Sequence, residues 1–276
     1  MDEKRKKNVM DSLLGLVLLY LGFLLMLYFI QRHMMYFPDV TRFVPSAAGV
    51  ADMSVIDVTT ADGLTLQGWY KAPPAPGKPV IILFHGNGGN IAGRNFKARQ
   101  FIDKVYGFLL AEYRGYGGNP GSPSEQGFYT DARAYLAWLV KQGIAPAQTV
   151  LYGESIGTGV VVQMASETQG YKALVLESPF ASMVEMARKQ YFFVPVDLLL
   201  KDRYDNFSKI KSVKIPLLVL HGAIDPVVPY SQGKKLFDAA NEPKKMETFP
   251  RGGHIDLYNH GAGARILAFL EGLKPN

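Results

Sequence analysis

Apolar residues follow three different patterns along this chain. From Leu13 to Ile30 they run without a single charge, built only from Leu, Gly, Val, Tyr, Phe, Met and Ile. As a helix at 1.5 Å per residue, this stretch is roughly 27 Å long, close to the hydrocarbon thickness of a bilayer. Farther on, Ser54 to Thr60 and Leu64 to Tyr70 alternate apolar and polar positions and meet at Ala61-Asp62-Gly63, which predicts a hairpin. The third pattern is a set of short continuous apolar runs: Val80–Phe84, Phe108–Ala111, Thr149–Tyr152, Ala173–Leu176 and Leu217–Leu220. Runs apolar throughout suit strands buried on both faces. Helix-like segments such as Asp131–Lys141 and Gly157–Glu167 lie between them, so a mostly parallel, doubly wound α/β sheet is expected. Met246–Phe249 reads as a last strand and Ile255–Leu270 as a last helix.

Charge gives the apolar block a meaning. Lys4-Arg5-Lys6-Lys7 precede it, whereas Arg32 and Arg42 are the basic residues soon after it. No A-x-A-like cleavage site follows, and the run exceeds a typical signal-peptide core, so an uncleaved signal anchor is expected. The positive-inside rule leaves the tail in the cytoplasm and sends the remainder to the far side, periplasm or lumen. Residues 1–36 thus form a basic tail and transmembrane anchor, and residues 37–276 one α/β domain with a small insert around 180–214. The chain carries 30 basic and 24 acidic residues, a net charge of +6, four of those basic residues being in the tail. No basic stripe interleaved with aromatics remains, and no nucleic-acid partner is expected. There is no cysteine, which removes disulfides, thiolate metal sites and a cysteine nucleophile. Oligomeric state is not readable, and a monomer is compatible with the chain.

The chemistry begins at Gly153-Glu154-Ser155-Ile156-Gly157, between the apolar run ending at Tyr152 and a helix-like segment. G-x-S-x-G between strand and helix is the context of a nucleophile elbow, with the serine hydroxyl on a sharp turn. Asp225 stands a few residues past the run ending at Leu220, and His254 follows Gly252-Gly253 after the last strand. Serine needs an imidazole to take its proton, and the imidazole needs a carboxylate to fix its tautomer. The order Ser155, Asp225, His254 supplies all three. Asp225 also precedes Pro226, a common turn starter. Glu177, at the end of the Ala173–Leu176 run, is the rival acid, although Asp225 lies one strand nearer His254. His33, His85, His221 and His260 are competing bases, of which His85 and His221 read as structural braces.

Acyl transfer also requires donors for an oxyanion. His85-Gly86-Asn87-Gly88-Gly89-Asn90 follows the first parallel run and leads into a helix, so its backbone can aim N–H groups into the crevice. The expected pair is the backbone N–H of Asn87 with that of Ile156. This loop matches neither nucleotide-binding glycine pattern. No metal-ligand spacing is present, and no cofactor or metal is expected.

Together with Tyr36-Phe37-Pro38, Tyr113-Arg114-Gly115-Tyr116-Gly117 and Glu177-Ser178-Pro179-Phe180, these segments make the chain resemble the α/β-hydrolase superfamily over about residues 50–272. More narrowly it resembles the membrane-anchored bud-emergence-type serine hydrolases. The resemblance implies the α/β-hydrolase fold, Ser155, Asp225 and His254 as catalytic residues, and Asn87 with Ile156 as oxyanion hole. It implies a carboxylesterase, lipase or thioesterase-like activity on a small or lipid-like acyl substrate. A serine peptidase on the same residues and a catalytically silent membrane scaffold are the alternatives. The Gly117–Pro123 loop departs from relatives and is expected to line the site. The apolar segment Tyr191–Leu200 reads equally as a lid over an acyl pocket and as one more core helix.

Overall fold

The computed structural model describes residues 3–104 and 106–273. The outermost residues of the two expected regions, 1–2 and 274–276, lie outside the described ones. Eight strands form one sheet: β1 (Ser54–Thr59), β2 (Thr65–Lys71), β3 (Val80–Phe84), β4 (Gly107–Ala111), β5 (Thr149–Glu154), β6 (Ala173–Glu177), β7 (Leu217–Gly222) and β8 (Lys244–Phe249). Their spatial order is β1-β2-β4-β3-β5-β6-β7-β8. The first two strands form the expected hairpin, β2 pairs antiparallel with β4, and every later pairing is parallel.

Nine helices accompany the sheet: α1 (Glu3–Met35), α2 (Asn95–Ile102), α3 (Glu125–Lys141), α4 (Ile156–Glu167), α5 (Met183–Gln190), α6 (Val196–Leu199), α7 (Asn206–Lys209), α8 (Tyr230–Ala239) and α9 (Ala262–Glu271) among the described residues. The continuous apolar runs became strands buried along their length; every residue of β3, β4 and β6 is buried. Alternate residues feed two cores. Val80, Ile82 and Phe84 face α3 and α4, while Ile81 and Leu83 face α2 and α9. Three layers result, as the alternation of strands and helices requires.

Two helix boundaries differ from expectation. α3 starts at Glu125, ahead of Asp131, because Ser124 caps it by accepting a hydrogen bond from the Gly127 amide at 3.1 Å. Gly127 masks the helical signal, yet a Cβ there would press on the Arg114 side chain. The last helix is broken: Leu257–His260 forms a 3₁₀ turn, Gly261 sits at φ +91°, and α9 begins after it. A left-handed residue cannot continue a right-handed helix, and glycine adopts it without a Cβ penalty.

The chain order reverses direction around β3, with β4 on one side and β5 on the other. In open α/β sheets the ligand crevice lies beyond the carboxyl ends of the strands at such a point. α1 is long and apolar enough to cross a membrane.

At the carboxyl end of β5 the helix α4 passes so close to β3 that a Cβ on Gly157 would overlap the Phe84 carbonyl oxygen. Backbone cannot retreat as a side chain would. Gly157→Ala is therefore expected to destabilise the protein by about 1–3 kcal/mol, read as a lowered urea midpoint at unchanged m.

Candidate active site

Strand β5 ends at Glu154, and the next residue turns the chain abruptly. Ser155 holds φ 52° and ψ −116°, a conformation that L residues rarely adopt. Its amide donates to the Glu177 carbonyl at 2.8 Å, continuing the β5–β6 ladder, while its carbonyl accepts from the Thr158 amide at 2.9 Å. One residue thus belongs to both a sheet and a helix, and its hydroxyl is left free of the backbone.

That hydroxyl lies 3.0 Å from His254 Nε2, and His254 Nδ1 lies 2.8 Å from Asp225 Oδ2. Three residues from the ends of β5, β7 and β8 are brought into one chain of contacts. The turn reading of Asp225 is met as well: its Oδ1 accepts from the amides of Val227 and Val228, each at 2.8 Å. One carboxylate oxygen therefore shapes the loop and the other meets the imidazole. Burial pushes the Asp225 carboxyl up, but the His254 hydrogen bond and charge and the two amides outweigh it, leaving it below the usual carboxylate range. An ionised carboxylate can only accept, so Nδ1 carries the proton and Nε2 is free to take one from Ser155. The His254 backbone is held from the residue just past β6, where the Ser178 hydroxyl donates to its carbonyl at 3.3 Å.

The competing residues lie elsewhere. Glu177 accepts from Lys97 Nζ at 2.6 Å and from the Tyr152 hydroxyl. His85 is held between the Gly86 carbonyl and the Glu112 carboxylate, both at 2.8 Å. His221 Nε2 donates to the Val228 carbonyl at 2.9 Å, and burial lowers its pKa. His260 sits 3.6 Å from Asp256, and His33 lies in α1.

The glycine loop after β3 is pinned from several sides. The Asn87 carbonyl accepts from the Phe37 amide at 2.9 Å and the Tyr116 hydroxyl at 2.7 Å, and its side-chain amide donates to the Met35 carbonyl at 2.9 Å. Glu112 accepts from the Ile91 amide at 2.9 Å. Among the described residues neither the Asn87 N–H nor the Ile156 N–H has a protein acceptor; Ile156 opens α4, where the first amides have no intrahelical partner. Both residues border the cavity that also reaches Ser155. The Gly117–Pro123 loop, expected at the site, turns away: the Gly117 amide donates to Asp39 and the Gly118 carbonyl accepts from Arg42. It braces the segment after α1.

The cavity measures about 380 Å³, within the range of small-molecule sites. The insert roofs it through Met183, Met186, Tyr191, Val194 and Leu199. The lid and core-helix readings are thus partly combined, since α5 buries Val184 while Phe192 and Leu198 remain 85% and 84% exposed. No charged side chain lines the cavity among the described residues.

Sequence reasoning missed the charges beneath the elbow. Lys97, buried on α2, reaches Glu154 and Glu177 at 2.6 Å each, and Arg94 reaches Glu154 at 2.7 Å. Burial opposes every charge here, yet the opposing partners win: Glu154 falls well below its ordinary value and Lys97 rises. A depressed carboxylate contributes stability above its unfolded pKa, about 4.3, and loses it as pH falls further; a raised lysine contributes fully below about 10.4. The urea midpoint is expected to hold between those limits and to fall on acidification below about pH 4. Lys97→Met, which leaves buried Glu177 without a cationic partner and Glu154 with Arg94 alone, is expected to cost about 3–5 kcal/mol at neutral pH.

Comparison with known proteins agrees with this architecture. A family model described as "Prolyl oligopeptidase family" matches residues 124–272. An uncharacterized protein of Mycobacterium tuberculosis, Rv2307c, is 40% identical over 85% of this chain and 84% of its own length. The lysophosphatidylserine lipase ABHD12 of Danio rerio is 32% identical over 64% of this chain and 51% of its own. Among solved structures, the Pyrococcus furiosus esterase Pf2001 superposes with a TM-score of 0.69 at 17% identity, covering 86% of this chain and 98% of that one.

Proposed function

The chain belongs to the prolyl oligopeptidase family and has the α/β-hydrolase fold, and from that premise we propose a membrane-tethered serine hydrolase of acyl esters or thioesters. The contact chain from Ser155 through His254 to Asp225, opening onto an uncharged apolar cavity, carries this reading. Ser155 Oγ attacks the acyl carbon as His254 Nε2 takes its proton. The negative charge on the former carbonyl oxygen meets the N–H groups of Asn87 and Ile156, and one such donor is typically worth about 3–4 kcal/mol. The protonated imidazole, stabilised by Asp225, then hands its proton to the departing alcohol or thiol. Water, deprotonated by His254, releases the acid and restores Ser155.

In the same reading, residues 1–36 are the cytoplasmic tail and membrane anchor, and 37–276 the hydrolase domain on the far side, with the insert at about 180–214. The length and apolarity of α1 and the tail Lys4–Lys7 support this arrangement. The lipase named ABHD12 among the relatives and the apolar lining favour a lipid-like acyl ester. A second reading, a peptidase, draws on the name of the matching family. Among the described residues the cavity offers no carboxylate or cation to pair with a peptide's charged groups, which weighs against it.

Labelling with a fluorophosphonate probe tests the chemistry. Wild type is expected to label and Ser155→Ala is not; labelling that survives the substitution means another nucleophile. Asp225→Asn is expected to lower kcat on a p-nitrophenyl ester by about 10⁴-fold, and near-full activity would remove Asp225 from its assigned role. Cleavage confined to peptide amides would overturn the ester assignment.

A further inference from the structure

The cavity above Ser155 has an unexpected wall. Leu27, Tyr28, Gln31, Met34 and Met35 of α1 line it. Their spacing, i, i+1, i+4, i+7 and i+8, is one face of a helix. From Met35, beside the Asn87 loop, to Leu27 the helix rises about 12 Å at 1.5 Å per residue. The cavity therefore follows the anchor away from Ser155 and toward the apolar run.

The insert closes the other side of this slot and is fastened to the same helix. Arg32 grips Asp202 through two hydrogen bonds of 2.8 and 3.0 Å. Gln31 donates to the Leu199 carbonyl at 3.1 Å and accepts from the Lys201 amide at 2.8 Å. Farther along α1, Tyr20 donates to the Phe193 carbonyl at 2.7 Å, and the rings of Phe23 and Phe193 lie 6.2 Å apart. Tyr20 precedes Ile30, where the apolar run ends, by about 15 Å of helix. Phe193, at the tip of the insert, thus stands beside the middle of the span, next to the largely exposed Phe192; Leu198, nearer the Gln31 end of the helix, is largely exposed as well. Large apolar side chains exposed next to a membrane helix belong in lipid, where their burial is favourable.

We infer that the active-site cavity loads sideways from the bilayer. One acyl chain of a membrane-resident lipid ester slides between the Leu27–Met35 face of the anchor and the 183–200 insert until its carbonyl reaches Ser155. The insert tip, through Phe192 and Leu198, dips into the leaflet and holds the slot open to lipid. The anchor is then part of the substrate site and a determinant of acyl length. This inference rests on the serine-hydrolase reading and on α1 spanning the membrane.

The full chain, reconstituted in phosphatidylcholine vesicles, provides the test with two esters of one fluorogenic alcohol: 4-methylumbelliferyl palmitate within the bilayer and the water-soluble acetate. Leu27→Trp, which fills the slot, and Phe192→Asp/Leu198→Asp, which withdraws the tip from lipid, are each expected to lower the palmitate-to-acetate rate ratio at least tenfold. Leu25→Trp, on an exposed part of α1 outside the cavity, is expected to leave the ratio unchanged. An unaltered ratio in the first two variants, with acetate still cleaved and fluorophosphonate still bound, overturns lateral loading alone. Absence of both acetate cleavage and labelling in wild type instead removes the hydrolase reading, and this inference with it.

Discussion

The contact on which the rest of this structure depends is the approach of α4 to β3 at Gly157. Only a residue without a side chain lets the first turn of that helix rest on the Phe84 carbonyl. That closeness bends the chain so sharply after Glu154 that Ser155 must take positive φ. A residue in such a conformation costs about 1–3 kcal/mol and persists only where its surroundings over-determine it. Here the sheet ladder holds its amide and the helix holds its carbonyl. The same contact aims the α4 amino terminus, with the Ile156 N–H, at the crevice beyond β3. The Ser155 hydroxyl and the Ile156 N–H thus owe their positions to one steric cause.

Beneath the elbow, the ion cluster of Arg94, Lys97, Glu154 and Glu177 balances two charges of each sign inside the core. It ties α2 to the ends of β5 and β6. Pairs of this kind add little net stability over apolar packing but are costly to break singly. Their effect here is positional: Glu154, the residue before the serine, cannot turn without giving up both Arg94 and Lys97. The Tyr152 hydroxyl extends the network to Tyr258, in the turn that follows His254, at 3.1 Å. The elbow and the histidine loop are therefore braced by a common set of groups.

How much of this was legible in the sequence follows the range of each signal. Strands buried on both faces announce themselves as continuous apolar runs, so β3 to β7 were readable to within a few residues, as was the hairpin. The positions of Ser155, Asp225 and His254 follow from strand ends, because a parallel sheet collects all its carboxyl edges on one side. Lys97 was not legible: in Asn-Phe-Lys-Ala-Arg-Gln-Phe-Ile it has the spacing of an ordinary solvent-facing lysine. Its burial is dictated by carboxylates distant in sequence. The break at Gly261 was missed because an isolated glycine within an apolar pattern does not reveal its φ. The Gly117–Pro123 loop was misplaced because glycine turns state flexibility of direction, not which direction is taken.

The share of α1 in the cavity wall was invisible for a different physical reason. An amphipathic helix marks its packed face by contrast with polar residues on the other. The run Leu13–Ile30 has no polar face, so nothing in it marks the side that packs against the insert. Contrast returns only where the run ends, and Gln31 and Arg32 are where the insert is fastened. An uncharged cavity walled by such a helix favours a ligand without charge along its length, because an unpaired charge carried there would lose its hydration without compensation. A lipid's acyl chain meets that condition, and in the proposed membrane-spanning arrangement it is at hand in the neighbouring leaflet. In the proposed arrangement one helix, α1, tethers the chain through Leu13–Ile30 and selects substrate through the face between Leu27 and Met35.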